Sequence, residues 1–464
     1  MRRYYIKTYG CQMNIADSGK LADVLEAAGY QEAQAEAQAD IILVNTCVVR
    51  QNAEDRAAGY ISSIKSYKEK NPHLKIGVCG CLVSEPGREV ENIFPHVDIF
   101  IAPNQPERLK EFIIQIPYSP SPRGRGGGVY CASGGEGNGG SLTKYITIMH
   151  GCDNFCSYCI VPYVRGREYS RPIEEIMDEI KQVDLEKQPE IFLLGQNVNS
   201  YKYGLARLLG EIKKIVDSRM LKAESRIRFM TSHPRDMSDD IINAVAELPH
   251  VCEYFHLPIQ HGDDQILKSM NRGYSYDDYR RLVDRIRARI PDAAITSDVI
   301  IGYPGETDHQ FQNTLKAIQK IGFDACNTAA YSVRPATAAA KLTDDVPHEV
   351  KQQRLQEAMK VVEKVAKEKN EKLIGSTQEV LADKYIPYSP SPSRPERSRR
   401  IGRGGGVLRV SGGEGYSSYS GRTRTNKIVK FESPENNLLG KLLNVRINSA
   451  QSWILKGELI NGKF

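Results

Sequence analysis

The first 115 residues alternate short apolar runs with amphipathic stretches. Apolar, β-rich runs cover residues 4–10, 40–46, 74–80 and 97–102. Between them, residues 18–28 and 53–68 carry the spacing of helices. Strand alternating with helix predicts βαβ units and an open parallel sheet. The first three runs each end at a cysteine: Cys11, Cys47 and Cys81. In such a sheet, ligands bind at the carboxyl ends of the strands. Three cysteines distant in sequence are therefore expected on one rim.

A second block, residues 142–372, repeats the alternation. Strand-like runs lie at 145–150, 190–194, 226–231, 254–258, 294–301 and 327–332, each followed by polar or loop-forming residues and mostly by helix. Six such units predict a partial β/α barrel with its site at the C-terminal ends of the strands. That rim would carry the cysteines at 152–159, Gly195-Gln-Asn197, Ser232-His-Pro234, Gln260-His-Gly262, Gly302-Tyr-Pro-Gly-Glu-Thr307 and Arg334-Pro335. A long helix over 347–374 closes the block. Short strands at 377–382, 427–431, 442–447 and 453–460 predict a small OB-like β-barrel over 373–464. The expected fold class is α/β: an open parallel α/β sheet over 1–115, a partial (β/α)6 barrel over 142–372, and the small C-terminal β-barrel.

Two segments break this plan. Ile116-Pro-Tyr-Ser-Pro-Ser-Pro122 and Ile386-Pro-Tyr-Ser-Pro-Ser-Pro392 each lead into Arg- and Gly-rich sequence, with Gly-Gly-Gly-Val at 126–129 and 404–407 and Ser-Gly-Gly-Glu-Gly at 133–137 and 411–415. Such composition cannot bury a core and is expected to be flexible. Matching copies in unrelated surroundings read as an inserted element, at 116–141 between domains and at 386–415 within a hairpin of the tail barrel. A role in RNA contact is the alternative.

Composition adds three points. The N-terminus lacks the apolar region of a secretory signal and no apolar run approaches a membrane span, so a cytoplasmic protein is expected. Ten cysteines in a reducing compartment argue for metal or redox use over disulfides. The net charge of +6 is uneven: residues 371–464 hold 16 Lys+Arg against 8 Asp+Glu. A basic tail suggests a polyanion, nucleic acid first. Half of that excess comes from the second inserted segment, which carries 6 Arg against 2 Glu and weakens the argument.

The sharpest chemical signal is Cys152, Cys156 and Cys159, spaced C-x3-C-x2-C. Soft thiolates select iron–sulfur or zinc, and three are one fewer than either usually takes. Zinc would need a fourth ligand, for which His150 is the candidate. Cys79 is a rival to Cys81, two residues along the same strand. Cys252 and Cys326 read as small core residues, and Cys131 lies in the first inserted segment.

Gly151-Cys-Asp-Asn-Phe-Cys-Ser-Tyr-Cys-Ile-Val-Pro162, at the end of the first barrel strand, closely resembles the radical S-adenosylmethionine superfamily. The resemblance implies a 4Fe–4S cluster on Cys152, Cys156 and Cys159 whose open iron binds S-adenosylmethionine. Its reductive cleavage gives a 5′-deoxyadenosyl radical able to take hydrogen from an unactivated C–H bond. With Cys11, Cys47 and Cys81 ahead of it and a basic tail behind, the chain resembles the methylthiotransferases, which join a three-cysteine domain, a radical barrel and a TRAM domain. Thr8-Tyr-Gly-Cys-Gln-Met-Asn14, Asn45-Thr-Cys-Val-Val-Arg50, Gly80-Cys81, Val161-Pro-Tyr-Val-Arg-Gly-Arg-Glu168, Gly195-Gln-Asn-Val-Asn-Ser-Tyr201 and Thr231-Ser-His-Pro234 look like the branch acting on isopentenylated adenosine in tRNA.

That resemblance implies a second 4Fe–4S cluster on Cys11, Cys47 and Cys81, and two equivalents of S-adenosylmethionine per turnover. The implied product carries a methylthio group at C2 of N6-isopentenyladenosine at position 37. The implied partners are a tRNA anticodon loop and an electron donor such as flavodoxin or ferredoxin, with the enzyme a monomer. Gln196, Asn197, Gly302 and Glu306 would lie near S-adenosylmethionine. Gly421-Arg-Thr-Arg-Thr-Asn426 matches the TRAM pattern, making Arg422 and Arg424 candidate RNA contacts. The alternatives are the same chemistry on threonylcarbamoyl-adenosine or a ribosomal protein, and a non-catalytic iron–sulfur RNA-binding protein. Two departures stand out. Ser332-Val-Arg-Pro-Ala-Thr-Ala338 replaces the family's Ser-Pro-Arg-Pro-Gly-Thr-Pro, and His261 replaces a small residue.

Overall fold

The computed structural model describes residues 2–49, 51–103, 105–116, 142–218, 225–386 and 417–460. Cys131 and nearly all of the two inserted segments lie outside the described residues. The N-terminal strands are β1 (Arg3–Thr8), β2 (Gln31–Glu32), β3 (Ile41–Thr46), β4 (Lys75–Gly80) and β5 (Ile99–Ile101). They form one parallel sheet in the order β2-β1-β3-β4-β5. All six residues of β3 are buried. Ile41 and Leu43 face helices Gln12–Ala27 and Glu107–Gln115, while Ile42 and Val44 face helix Gln51–Ser63. A strand covered on both faces reads as a continuous apolar run, which is why this one is plain in the sequence.

The central strands are β6 (Thr143–Thr147), β9 (Glu190–Leu194), β10 (Arg226–Phe229), β11 (Tyr254–His256), β12 (Ala294–Ile301) and β13 (Ala325–Ala330). They make two parallel three-stranded sheets, β6-β9-β10 and β11-β12-β13. A bridge between Ile227 and Val251 joins the two into a six-stranded open barrel. The first strand is shorter than expected. After Thr147 the chain turns, and β7 (Met149–His150) pairs antiparallel with β8 (Tyr169–Ser170), so that this ribbon brackets the cysteine loop. The last strand lies two residues earlier than expected, because the chain leaves the sheet after Ala330 toward the loop at Arg334. Helix His348–Glu371 packs Ala358 and Val362 into the barrel core.

The tail is a closed barrel of β14 (Thr377–Ile386), β15 (Ser417–Thr423), β16 (Ile428–Ser433), β17 (Leu442–Ala450) and β18 (Ile454–Leu459), in the order β14-β15-β16-β18-β17. β14 and β15 pair antiparallel on either side of the second inserted segment, which therefore does interrupt a hairpin. β15 has no counterpart among the predicted strands. Its sequence, Ser-Ser-Tyr-Ser-Gly-Arg-Thr, offers Tyr419 as the one large apolar side chain.

Ion pairs and guanidinium forks join the three parts. Arg165 of the barrel meets Asp17 of the first domain at 2.9 Å, and Arg334 meets Glu54 at 2.8 Å. Arg226 and Arg228 of β10 reach into the tail barrel. Arg226 bonds the Arg422 carbonyl at 2.7 Å and Glu379 at 2.7 Å. Arg228 bonds the carbonyls of Thr423 and Arg424, both at 2.6 Å. Among the described residues no helix is long and apolar enough to cross a membrane.

Candidate active site

Cys11, Cys47 and Cys81 come together at the carboxyl ends of β1, β3 and β4, as the strand pattern predicts. Two glycines make the approach possible. A Cβ on Gly10 would stand 2.7 Å from the Cys47 Cβ, and one on Gly80 would stand 2.4 Å from the Thr46 carbonyl. Gly80 also has φ +95°, a conformation side chains resist. Fully buried Asn14 ties the loops together. Its Oδ1 accepts from the Cys11 backbone N–H at 3.2 Å, and its Nδ2 donates to Asn45 Oδ1 at 3.1 Å and to the Thr46 carbonyl at 3.0 Å. Asn45 returns a bond to the Asn14 carbonyl at 2.8 Å.

The thiols sense one another. A hydrogen bond with Cys47 pulls the Cys11 thiol below its ordinary value, and Arg165 adds its charge. The same hydrogen bond, with burial, pushes Cys47 up. Arg165 Nε donates to Cys81 Sγ at 3.3 Å. Cys79 has a different setting. It packs with Tyr4, Leu21 and Leu43 and borders a cleft of about 320 Å³ between the first domain and the barrel. Cys81 lies near enough to Cys11 and Cys47 for their charges to interact, whereas Cys79 feels only burial and Asp17.

In the barrel, Cys152, Cys156 and Cys159 share one short loop. Cys159 N donates to the Cys156 carbonyl at 2.9 Å, and Cys152 N to the Gly166 carbonyl at 3.3 Å. Ser157 pins the loop through its Oγ to the Ser269 carbonyl and Tyr303 hydroxyl, both at 2.8 Å. The Ser157 carbonyl receives the Ala339 N–H at 2.7 Å. Arg272, buried, donates to Cys156 Sγ at 3.2 Å. Burial raises the thiols of Cys152 and Cys159, the latter to about 12. Three non-glycine residues around this rim hold left-handed backbones: Phe155 at φ 46°, Thr231 at 73° and Gln260 at 72°. Strain of that kind gathers at functional sites.

The remaining sequence candidates divide. Asn197 is a brace: Nδ2 donates to Asp236 at 2.7 Å and Oδ1 accepts from the His233 N–H at 2.9 Å. Gln196 Oε1 is buried without a hydrogen-bond partner. Gly302 and Glu306 belong to a buried ion-pair network. The Glu306 carboxylate, fully buried, is closed by Arg354 at 2.9 Å, His261 at 3.1 Å and the Gly302 N–H at 2.9 Å. That pair of residues holds the barrel against helix His348–Glu371, and His261, the departure from the family pattern, is part of the same network. Arg424 is likewise drawn away from solvent, with Nη2 on Glu253 at 2.6 Å and on the Val251 carbonyl at 2.7 Å. Arg422 stays half-exposed beside Asn426 and Asp383.

Three residues escaped the sequence reading. Arg165 and Arg272 reach the sulfurs only through tertiary contacts, so no spacing announces them. His233 was read only as part of the rim. Its Nδ1 accepts from the Arg235 N–H, which assigns the ring proton to Nε2, and that buried nitrogen has no partner. Burial, then Arg272 and Arg235, pushes its imidazole down to about 2.

Among the described residues no three His, Cys, Asp or Glu side chains gather as ligands of a single metal ion. A four-iron cluster asks for a different donor set, one thiolate on each of several irons. Both triads could supply that, and a guanidinium at one sulfur of each offsets the negative charge of thiolates. The two loops are also packed together. Ile160 and Val164, just after Cys159, enter the same core cluster as Cys81 and Leu82.

Comparison with known proteins agrees with this geometry. Residues 146–318 match the radical SAM superfamily, and residues 3–102 match a family described as uncharacterized protein family UPF0004. A relative from Caldicellulosiruptor saccharolyticus is 40% identical over 99% of this chain and 93% of its own length. Another, from Dictyoglomus thermophilum, is 40% identical over 99% of both. Both carry the name tRNA-2-methylthio-N(6)-dimethylallyladenosine synthase. Among solved structures, the radical S-adenosylmethionine methyltransferase TsrM from Kitasatospora setae aligns with a TM-score of 0.54 at 14% identity, covering 73% of this chain and 75% of that one. That likeness concerns the fold alone. The near-complete coverage by relatives at this identity is decisive: the chain belongs to the tRNA-2-methylthio-N(6)-dimethylallyladenosine synthase family of radical S-adenosylmethionine enzymes.

Proposed function

We propose that this protein is a tRNA methylthiotransferase that places a methylthio group at C2 of N6-isopentenyladenosine at position 37, beside the anticodon. The observation that carries this reading is the join between the two triads. Arg165, a few residues past Cys159, reaches across the domain boundary to Cys81. A single radical cluster would need no such link. When bound, the cluster on Cys152, Cys156 and Cys159 supplies reductive cleavage of S-adenosylmethionine, and that on Cys11, Cys47 and Cys81 supplies an iron open to sulfur.

The chain's own groups set up the rest. Arg272 and Arg165 screen the thiolates, and the low dielectric around them strengthens both contacts. Gln196 Oε1 and His233 Nε2–H, buried and unpaired, are offered to the polar groups of S-adenosylmethionine. His233 stays neutral there, so it donates without adding charge. Asn197 acts one step back, fixing the His233 loop. Arg422, on the tail barrel's outer side, meets the phosphates of the tRNA anticodon loop. A single-stranded loop suits the chemistry because its base can leave the stack and enter the rim. Two equivalents of S-adenosylmethionine serve each turnover, with electrons from a flavodoxin- or ferredoxin-like donor. The enzyme works as a cytoplasmic monomer of three domains, 1–115, 142–372 and 373–464.

Nucleoside mass spectrometry of tRNA from a deletion strain tests the reading. Loss of the methylthio-isopentenyl nucleoside, with accumulation of the isopentenyl precursor, is expected. Unchanged levels, or loss of the methylthio-threonylcarbamoyl nucleoside instead, would overturn the substrate assignment.

A further inference from the structure

The two arginines that touch cysteine sulfurs differ in one respect. Arg272 engages every nitrogen: Nε with the Tyr274 hydroxyl at 2.9 Å, Nη1 with Cys156 Sγ at 3.2 Å and Tyr158 at 3.3 Å, and Nη2 with the Pro258 carbonyl at 2.8 Å. Arg165 engages only two. Nε donates to Cys81 Sγ at 3.3 Å and Nη2 to Asp17 at 2.9 Å. Its Nη1 is buried and has no hydrogen-bond partner, on a side chain only 3% exposed. A charged donor left unpaired away from water is costly, and such an atom in a native site calls for a missing partner. The neighbourhood says what kind. Arg165 sits beside the thiols of Cys81 and Cys11, and Asp17 locks its plane. Both N–H groups of Nη1 are then left to give, and the rigid fork favours an anion.

We infer that Arg165 Nη1 is the anion-holding donor of the N-terminal site, hydrogen-bonding a small sulfur anion of the sulfide or methanethiolate class presented beside Cys81. The inference rests on the methylthiotransferase reading, which supplies the sulfur group. It assigns Arg165 a binding role distinct from that of Arg272, whose three nitrogens are all engaged. The radical barrel thereby grips the group that the first domain presents. Lysine could keep the charge, but one ammonium cannot serve Cys81, Asp17 and an anion in one plane.

The test uses the full-length chain with Cys152, Cys156 and Cys159 changed to Ala, so that only the N-terminal cluster assembles, about four irons per chain. After anaerobic reconstitution, sodium methanethiolate is titrated while the electron paramagnetic resonance signal of the reduced cluster is followed. In this background Arg165→Gln is expected to weaken methanethiolate binding about tenfold or more, the effect of losing a charge-assisted bond. Arg165→Lys should weaken it less, while keeping the same iron content. Binding by Arg165→Gln equal to that of the parent would overturn the inference. Loss of iron in both variants would overturn it as well, by making Arg165 a scaffold for the cluster. A parent that holds its iron and shows no response to methanethiolate would instead fail the functional reading on which the inference stands.

Discussion

Single residues decide whether the N-terminal site can form. Asn14 turns both ends of its side-chain amide to the Cys11 and Cys47 loops, so Asn14→Ala leaves Asn45 Oδ1 and the Thr46 carbonyl without its Nδ2 donor. The expected cost is about 2–3 kcal/mol of local stability, with two buried acceptors losing a partner. The effect should be confined to one triad: iron content after reconstitution should fall from about eight to about four per chain, with the barrel cluster retained. Retention of the full iron count would show that the loops are held by other means. Ala336 makes the opposite case. It sits exposed at φ 65° where the family's loop has glycine. A left-handed L-residue costs roughly 1–2 kcal/mol, and glycine returns about 0.4–1 kcal/mol of that through the unfolded chain. Ala336→Gly should therefore stabilise the protein by about 1 kcal/mol, read as a rise in the thermal midpoint, since no packing is lost.

At the scale of elements, β10 does two jobs. Ile227 and Phe229 enter the barrel core, while Arg226 and Arg228 on the opposite face hold the tail barrel. This alternation is ordinary for a strand, yet its polar face is buried and not solvated, which the sequence pattern could not reveal. The same limit explains what else was legible. β3 stands out because both its faces are apolar, and the three N-terminal cysteines stand out because each follows such a run. β15 is hidden because small polar residues close a narrow barrel as well as apolar ones. Arg424 looked like an RNA contact because a short basic turn resembles one, but its use depends on Glu253, 171 residues away. The two arginines of this turn should thus separate in experiment. Arg422→Ala should weaken tRNA binding and lower the salt slope of log K by about 0.7–1. Arg424→Ala should instead loosen the junction, leaving Glu253 unpaired, and raise the rate of proteolytic cleavage near residue 373. Identical salt slopes in both variants would mean that the turn contacts RNA as a unit.

For the whole molecule, the barrel is the hub, tied to the first domain by Arg165 and Arg334 and to the tail by Arg226, Arg228 and Asp324. These ties respond differently to pH. Burial alone would raise the Asp324 carboxyl, but Lys427 at 2.8 Å and Lys369 at 2.7 Å outweigh it and hold it below its ordinary value. Its contribution is present above the unfolded value of about 3.9 and is lost only as pH falls further. The Asp324 carboxylate therefore stays charged through the neutral range. His233, within the barrel rim, behaves in the opposite way. Its folded value of about 2 lies far below the ordinary 6.5, so the folded protein refuses a proton that the unfolded chain accepts. Stability from this group is full above about 6.5 and declines as pH falls toward 2, amounting to about 1.4 kcal/mol between pH 7.5 and 5.5. His233→Asn keeps a short acceptor for the Arg235 N–H and removes the titration. The fall in unfolding free energy between those two pH values, measured by urea titration, should be smaller in the variant by that amount. Equal falls in the two proteins would mean that the imidazole is charged in the native state, and would withdraw His233 as a neutral donor to the cofactor.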